Sequence, residues 1–474
     1  SIININVQKN EIITEKANNL DKDSNDKENI TNKPNESDND PEEIIKRHKT
    51  ESLEIKQLQS NLQLNKDNDK TTGSDKNTEE IIKKYKTGEL EIKVIQEDLP
   101  IENDISEIKG MQTKEGRAPI LTLVDQYIND VKEIADKNFN IFDFKEKVGY
   151  KNVLPIMCQV IMNTLGLYDP KVISIKILDS FLFTVSDNYK ESTLYHNSLH
   201  GADVTQTLCL FFINSNAEII METTVVDLLG IIVSAIGHDL GHPGTNNNFH
   251  INACTNLALT YNDSSCLENY HTSFLFRILK KDENNIFEKF SRQNYKNIRK
   301  RMIRQILATD MANHGEVVSL IRAKINSSVE EGETAFKLLS GNEKTKFDEQ
   351  QTLLNYFIHS ADLAHNTKPF EISLKWVELL SEEFWLQGDL EKSKGMSISF
   401  LCDRNKVDIP ASQIGFIRGF VITTFDNLVT MFPTLNYTID NAMNNINEWK
   451  KLQDQHRLRG WTPEKKQNKN EEKI

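Results

Sequence analysis

The sequence predicts an all-α domain behind a long polar tail. Apolar residues recur at i, i+3 and i+4 in eight stretches of the body, and no convincing two-residue alternation is present. Apolar density rises only after about Arg117. The chain has 474 residues and a formal net charge of −13. Its first 115 residues are dominated by Asn, Lys, Asp, Glu and Ser. Such a stretch cannot bury enough apolar surface to offset the entropy of ordering it, so 1–115 is expected to be largely disordered. One large domain is expected over 116–455, with a polar C-terminal tail over 456–474.

In chain order, the first helical periods fall at 154–165, 173–183 and 204–212. The next, 225–236, is the most apolar run. At that length it is far short of the roughly 20 residues a membrane helix needs. It stops at Gly241-His242-Pro243-Gly244, a turn signal, and Asn262-Asp263-Ser264-Ser265 marks a second turn ahead of 270–279. Helical periods follow at 298–307, 352–363 and 374–386. A domain this large needs several layers of helices, which places its site in a cleft between helical subdomains.

The acidic balance shows no basic face for nucleic acid, and any phosphate site would need local cations or metals. Five cysteines, Cys158, Cys209, Cys254, Cys266 and Cys402, are scattered with no CxxC pair, as in a reduced, cytoplasmic protein. The opening ten residues carry no basic region leading into an apolar core, so no secretory signal is expected. Within the tail, 42–56 recurs 37 residues later as 79–93, from Glu42-Glu43-Ile44-Ile45-Lys46 to Glu79-Glu80-Ile81-Ile82-Lys83. Two copies are too few for a solenoid. They read either as a bivalent docking device for a protein partner, tethering the chain to a cytoskeletal or ciliary assembly, or as a duplication in a disordered tail.

The histidines are unevenly placed. His196 and His200 are four apart, as are His238 and His242, and Asp239 follows His238. Residues four apart on a helix share a face, so each pair can point into one cavity. His359 and Asp362, three apart, do likewise. A lone His on an apolar helix is usually a packing residue. Several ionisable residues at the ends of apolar runs are costly unless something pairs them. Imidazoles and carboxylates converging from separate helices therefore point to a metal-dependent hydrolase.

Tyr195-His196-Asn197-Ser198-Leu199-His200 resembles the opening motif of the class I cyclic nucleotide phosphodiesterases, and His238-Asp239-Leu240-Gly241-His242-Pro243-Gly244 resembles their second. Leu267-Glu268-Asn269, Ala308-Thr309-Asp310-Met311, His359-Ser360-Ala361-Asp362-Leu363, Glu382-Glu383-Phe384 and Ser412-Gln413-Ile414-Gly415-Phe416 follow in family order. Thr245-Asn246-Asn247-Asn248-Phe249-His250 is most similar to the calmodulin-stimulated members. The resemblance implies a multi-helix, HD-type catalytic domain that hydrolyses cAMP, cGMP or both to 5′-monophosphates. It implies that His200, His238, Asp239 and Asp362 hold a tight metal, zinc, and that Asp239 also reaches a second, magnesium or manganese. His242, Glu268 and Thr309 would bond that ion's waters, and the two metals would activate a water. His196 would be the general acid, oriented by Glu383.

On the base side, Gln413 would read the purine, Phe416 and Leu380 would flank it, and Tyr195 and His365 would line the pocket. The two apolar residues could equally be core. Three departures stand out. His365-Asn366 replaces the frequent Asn-Pro, Tyr270 replaces a frequent His, and Gly201 replaces a usual Ala, a change expected to loosen its helix by at most about 1 kcal/mol. No calmodulin-binding helix is expected in the tail, because acidic residues interrupt its basic runs. Two rival readings remain at this level: an HD-type phosphohydrolase of another phosphoester, and a scaffold subunit that keeps the fold.

Overall fold

Helix-forming sequence dominates from Ile120 onward, and in the computed structural model no strand occurs among the described residues, which are 118–330, 339 and 343–458. The repeats at 42–56 and 79–93 lie outside them, as does the C-terminal segment beyond 458. The principal helices are α1 (Ile120–Gln126), α2 (Ile141–Val148), α3 (Tyr150–Thr164), α4 (Ile175–Asn188), α5 (Ser198–Ser215), α6 (Val225–Gly237), α7 (Asn247–Asn252) and α8 (Asn256–Tyr261). They continue as α9 (Cys266–Leu279), α10 (Arg292–Leu307), α11 (His314–Glu330), α12 (Glu343–Asp362), α13 (Phe370–Ser393), α14 (Ile409–Phe416), α15 (Ile422–Met431) and α16 (Tyr437–Leu458).

Local chemistry sets the boundaries of the central helices. Asn197 caps α5, its side-chain oxygen accepting from the N–H groups of Leu199 (2.9 Å) and His200 (3.4 Å). Thr224 and Asp227 form a reciprocal capping box at the start of α6. The Asp227 carboxylate also pairs with Arg301 of α10 at 2.5 Å, and Arg301 reaches Gln350 of α12 at 2.8 Å. Pro155 lies inside α3 and cannot bond the Lys151 carbonyl. The Ser186 hydroxyl of α4 donates to that carbonyl instead, at 3.3 Å.

Apolar composition then sorts the layers. α6 is apolar on nearly every side and buried accordingly, and α5 is buried all round although its first half is largely polar. α5 packs against α3, α6 and α12, and α6 packs against α10. Phe211, Phe212, Phe357, Phe425 and Phe432 interlock around α5 and α12, with the Phe212–Phe357 and Phe357–Phe432 rings 5.4 and 5.3 Å apart. The stretch Ile409–Met431 runs as 23 helical residues through a π turn (Ile417–Val421). It is long and apolar enough to cross a membrane by length and composition, a feature the reading of 225–236 passed over. It is partly buried, α14 against α16 and α15 against α11. The arrangement brings the start of α5 and the ends of α6 and α12 to one place.

Candidate active site

Four side chains converge there. His200 lies in the first turn of α5, His238 caps the end of α6, Asp239 follows it, and Asp362 ends α12. His200 Nε2 is 2.9 Å from Asp362 Oδ1, 3.3 Å from His238 Nε2 and 3.5 Å from Asp239 Oδ2. His238 Nε2 is 3.2 Å from Asp239 Oδ2 and 3.3 Å from Asp362 Oδ1. The carbonyl of Ala235, 2.9 Å from His238 Nδ1, can only accept, so Nδ1 carries a hydrogen and Nε2 faces the centre. Burial disfavours the charged ring, but the Asp239 and Asp362 carboxylates outweigh it and raise His238 well above its usual 6.5; a cation bound there would displace the Nε2 proton. Two buried imidazole nitrogens and two half-buried carboxylates, within 4.8 Å of one another, form a donor set that fits a divalent metal. Burial alone would raise the Asp239 and Asp362 carboxyls. The histidines beside them instead hold both well below the usual carboxylate range.

His196 reaches the pocket by another route. It precedes the α5 cap, so the shared helix face expected of His196 and His200 does not exist. Glu383 of α13 supplies the placement. Its Oε2 accepts the N–H groups of Tyr195 (2.7 Å) and His196 (3.2 Å), and its Oε1 lies 2.5 Å from His196 Nδ1. The Glu383 side chain is 4% exposed, despite the neighbouring Glu382. Burial disfavours the charged imidazole, but the Glu383 carboxylate outweighs it and raises His196 to about 9.

The pair His238 and His242 also shares no helix face. His242 lies beyond α6 in a turn where Gly241 has φ +77° and Gly244 has φ +84°. A Cβ on Gly241 would also meet the Phe274 ring at 2.8 Å. The Gly244 N–H donates to His242 Nδ1 at 3.0 Å, which leaves the hydrogen on Nε2. Its ring stacks on His196, 4.1 Å between centroids, and burial followed by the His196 charge keeps it neutral. Glu268 takes both oxygens to Asn247 Nδ2 (3.2 and 3.0 Å). Burial, then Asp310, pushes it up to about 7. Thr309 donates to Ile306 O at 2.8 Å, leaving its hydroxyl free only to accept.

One residue escaped the sequence reading. His271 stands three after Glu268 on α9, donates from Nδ1 to Leu240 O (2.8 Å), and stacks on His242. Its Nε2 is buried without a hydrogen-bond partner, 3.7 Å from Asp239 Oδ1. Tyr270 was noted as replacing a histidine; the imidazole stands one position later, and the i+3 spacing from Glu268 was the available signal. His359 is not in the cluster. Its Nε2 pairs with His314 Nδ1 at 2.9 Å. Gly201 does more than loosen α5. A Cβ there would lie 2.9 Å from the Tyr189 hydroxyl, which donates to Ile236 O two residues before His238.

The expected base side is less polar. Gln413 Oε1 is buried with no partner, and Phe416 and Leu380 are partly buried against the core. The Phe416 ring stacks on Phe420, 5.3 Å away. Tyr195 is buried with its ring 4.6 Å from that of His200 and 5.8 Å from that of His365. His365 accepts from Asn366 Nδ2 at 3.1 Å. Burial, then the charges of His200 and Lys368, pushes it down to about 3.

A family model described as 3′5′-cyclic nucleotide phosphodiesterase matches residues 195–442, which holds every side chain of the metal cluster and of the His196–Glu383 pair. The chain belongs to this family. "Probable 3′,5′-cyclic phosphodiesterase pde-1" of Caenorhabditis elegans is 34% identical over 295 residues, covering 62% of this chain and 41% of that protein. "Dual specificity calcium/calmodulin-dependent 3′,5′-cyclic nucleotide phosphodiesterase 1" of Drosophila melanogaster is 34% identical over 294 residues, 61% of this chain and 33% of its own. The chain thus spans well under half the length of these curated relatives. The solved phosphodiesterase domain of the RhoPDE fusion protein from Salpingoeca rosetta superposes with a TM-score of 0.61 at 29% identity, covering 72% of this chain and 99% of that one. The all-α phosphodiesterase fold is therefore shared, and the family's His/Asp metal cluster is present in this chain.

Proposed function

We propose that this chain hydrolyses 3′,5′-cyclic nucleotides to 5′-nucleoside monophosphates. The observation that carries the reading is the His196–Glu383 pair standing beside a buried four-donor cluster, all within the family match. His200, His238, Asp239 and Asp362 would hold a zinc ion, and Asp239 would share a second, magnesium or manganese, with water. Bound there, two cations lower the pKa of a water and offset charge on the phosphate oxygens. His242 (a donor), Glu268, Thr309 and His271, through its unpartnered Nε2, would orient the surrounding waters.

The chain's own groups handle the leaving oxygen. Glu383 accepts from His196 Nδ1–H and keeps the ring charged, so Nε2 also carries a proton. A water adds to phosphorus, the P–O3′ bond breaks, and His196 gives its Nε2 proton to O3′. The water's own proton restores the ring, so one water is consumed per turnover. Gln413 offers either purine an acceptor and two donors, with Phe416 and Leu380 on the base faces and Tyr195 and His365 along the wall. The repeated tail segments are assigned to docking on a protein partner in the cytoplasm, at a cytoskeletal or ciliary assembly. Steady-state kinetics on cAMP and cGMP with metal-replete protein test the reading. Turnover of at least one is expected, and a His196→Ala variant slowed by at least about 100-fold. Micromolar protein that leaves both substrates intact overturns it.

A further inference from the structure

A second buried charge pair lies behind the metal cluster and has no part in the chemistry above. Lys368 Nζ is 2.6 Å from Asp203 Oδ1 and 3.2 Å from Gln206 Oε1. The paired side chains are 7% and 6% exposed. Asp203 stands on α5 one turn after His200. Lys368 follows the short turn Ala364–Thr367, which leaves α12 just beyond Asp362. The pair therefore bridges the two elements whose ligands, His200 Nε2 and Asp362 Oδ1, lie 2.9 Å apart.

Both ends of the bridge are anchored. On one side Gln206 donates to Ile134 O at 2.9 Å. On the other, α16 grips the turn. Asn441 donates to Thr367 O (2.9 Å), and Asn445 donates to Asn366 O (2.8 Å) and Lys368 O (2.9 Å). A buried ion pair is a poor source of stability compared with apolar residues of similar volume, because desolvation consumes most of the Coulomb gain. What such a pair supplies is a fixed distance, and a metal pocket needs its donors held to within about 0.5 Å.

We propose that the Asp203–Lys368 pair is a positioning clamp that fixes His200 against Asp362 and so sets how slowly the pocket releases a divalent metal. The proposal rests on the metal-holding reading of the four-donor cluster. Neither residue touches the donor atoms, so both are positioning residues.

The test uses the full chain loaded with zinc. Zinc release into excess chelator is timed, and thermal midpoints of the metal-free proteins are recorded beside it. Asp203→Asn and Lys368→Met each leave a buried charge unpaired, so both measurements should fall. The double variant removes both charges, and its new amide can donate to Gln206 Oε1. Its metal-free midpoint should return to within about 3 °C of the parent, while zinc still leaves about 10-fold faster. Lys368→Arg keeps the charge and should restore most of the retention. A double variant that holds zinc as long as the parent overturns the clamp, as does release that merely tracks the midpoint across the series. A parent protein that retains no zinc at all fails the metal reading itself, and the clamp falls with it.

Discussion

Glu383→Gln tests the proton-donating role proposed for the His196–Glu383 pair. The carboxylate carries three contacts: the His196 ring at 2.5 Å and two backbone N–H groups at 2.7 and 3.2 Å. An amide oxygen can still accept, but the charge that raises His196 from its ordinary 6.5 to about 9 is gone. That difference amounts to about 3 kcal/mol at 1.36 kcal/mol per pKa unit, an upper figure because the His196 side chain is 23% exposed and solvent screens part of it. A general acid works only while protonated, so the parent's kcat should hold up to roughly pH 9 and fall above it. With the charge removed, the limb should move down toward pH 6.5 or lower. At pH 7.5 the protonated fraction would drop from about 97% to about 10%, a roughly 10-fold loss of kcat, with looser orientation adding up to about another 10-fold. KM should change little. Cations bound nearby lower the limb in both proteins, so the quantity to read is the gap between the two pH profiles at saturating metal. The same sign governs stability. A raised folded pKa contributes fully below pH 6.5 and is lost as pH rises through about 9, so the parent's melting advantage over the variant should shrink across that window. A variant limb within about half a pH unit of the parent's refutes the electrostatic role of Glu383.

Zinc added to metal-free protein at 100 times its Kd should stabilise the fold by about 2.7 kcal/mol, read as a rise in Tm, and His238→Ala should abolish that rise. Gly388→Ala should lower the melting temperature sharply, by roughly 3 kcal/mol or more, since the new Cβ would fall 1.9 Å from the Cys402 carbonyl oxygen, a backbone atom that cannot rotate away. Gln413→Leu should raise KM for both cyclic nucleotides by roughly 10-fold, the worth of lost hydrogen bonds to a base, with kcat within a few-fold of the parent; an unchanged KM removes Gln413 from the base pocket.

Much of the fold was legible because burial leaves a periodic trace. All eight helical periods read from the body fall within or closely overlap observed helices. The period at 204–212 understates α5, whose first two turns carry Ser198, His200 and Asp203, polar side chains that are nonetheless buried. The other eight named helices, α1, α2, α7, α8, α11, α14, α15 and α16, went unread; several are short, and in α11 and α16 exposed positions dilute the apolar stripe. The site was legible in its residues and less so in its geometry. Four-residue spacing brought His196 with His200 and His238 with His242 correctly, yet neither pair shares a helix. A bent lead-in to α5 and a glycine turn do that work, and both depend on partners far along the chain. His359 shows the converse, since correct spacing from Asp362 delivers it to His314. The burial of Glu383 and the close contacts at Gly201 and Gly388 are tertiary facts with no local signature.

The contacts that make the site join residues far apart in the chain, 162 positions between His200 and Asp362 and 187 between His196 and Glu383. On a ribosome adding about 5–20 residues per second, the second interval alone takes roughly 10–40 s. Throughout that time the nascent chain has His196 but not the carboxylate that holds its ring. A message cut short anywhere before Glu383 therefore encodes a product in which nothing holds the His196 ring in place. The pocket can close around His196 only once Glu383 has been made.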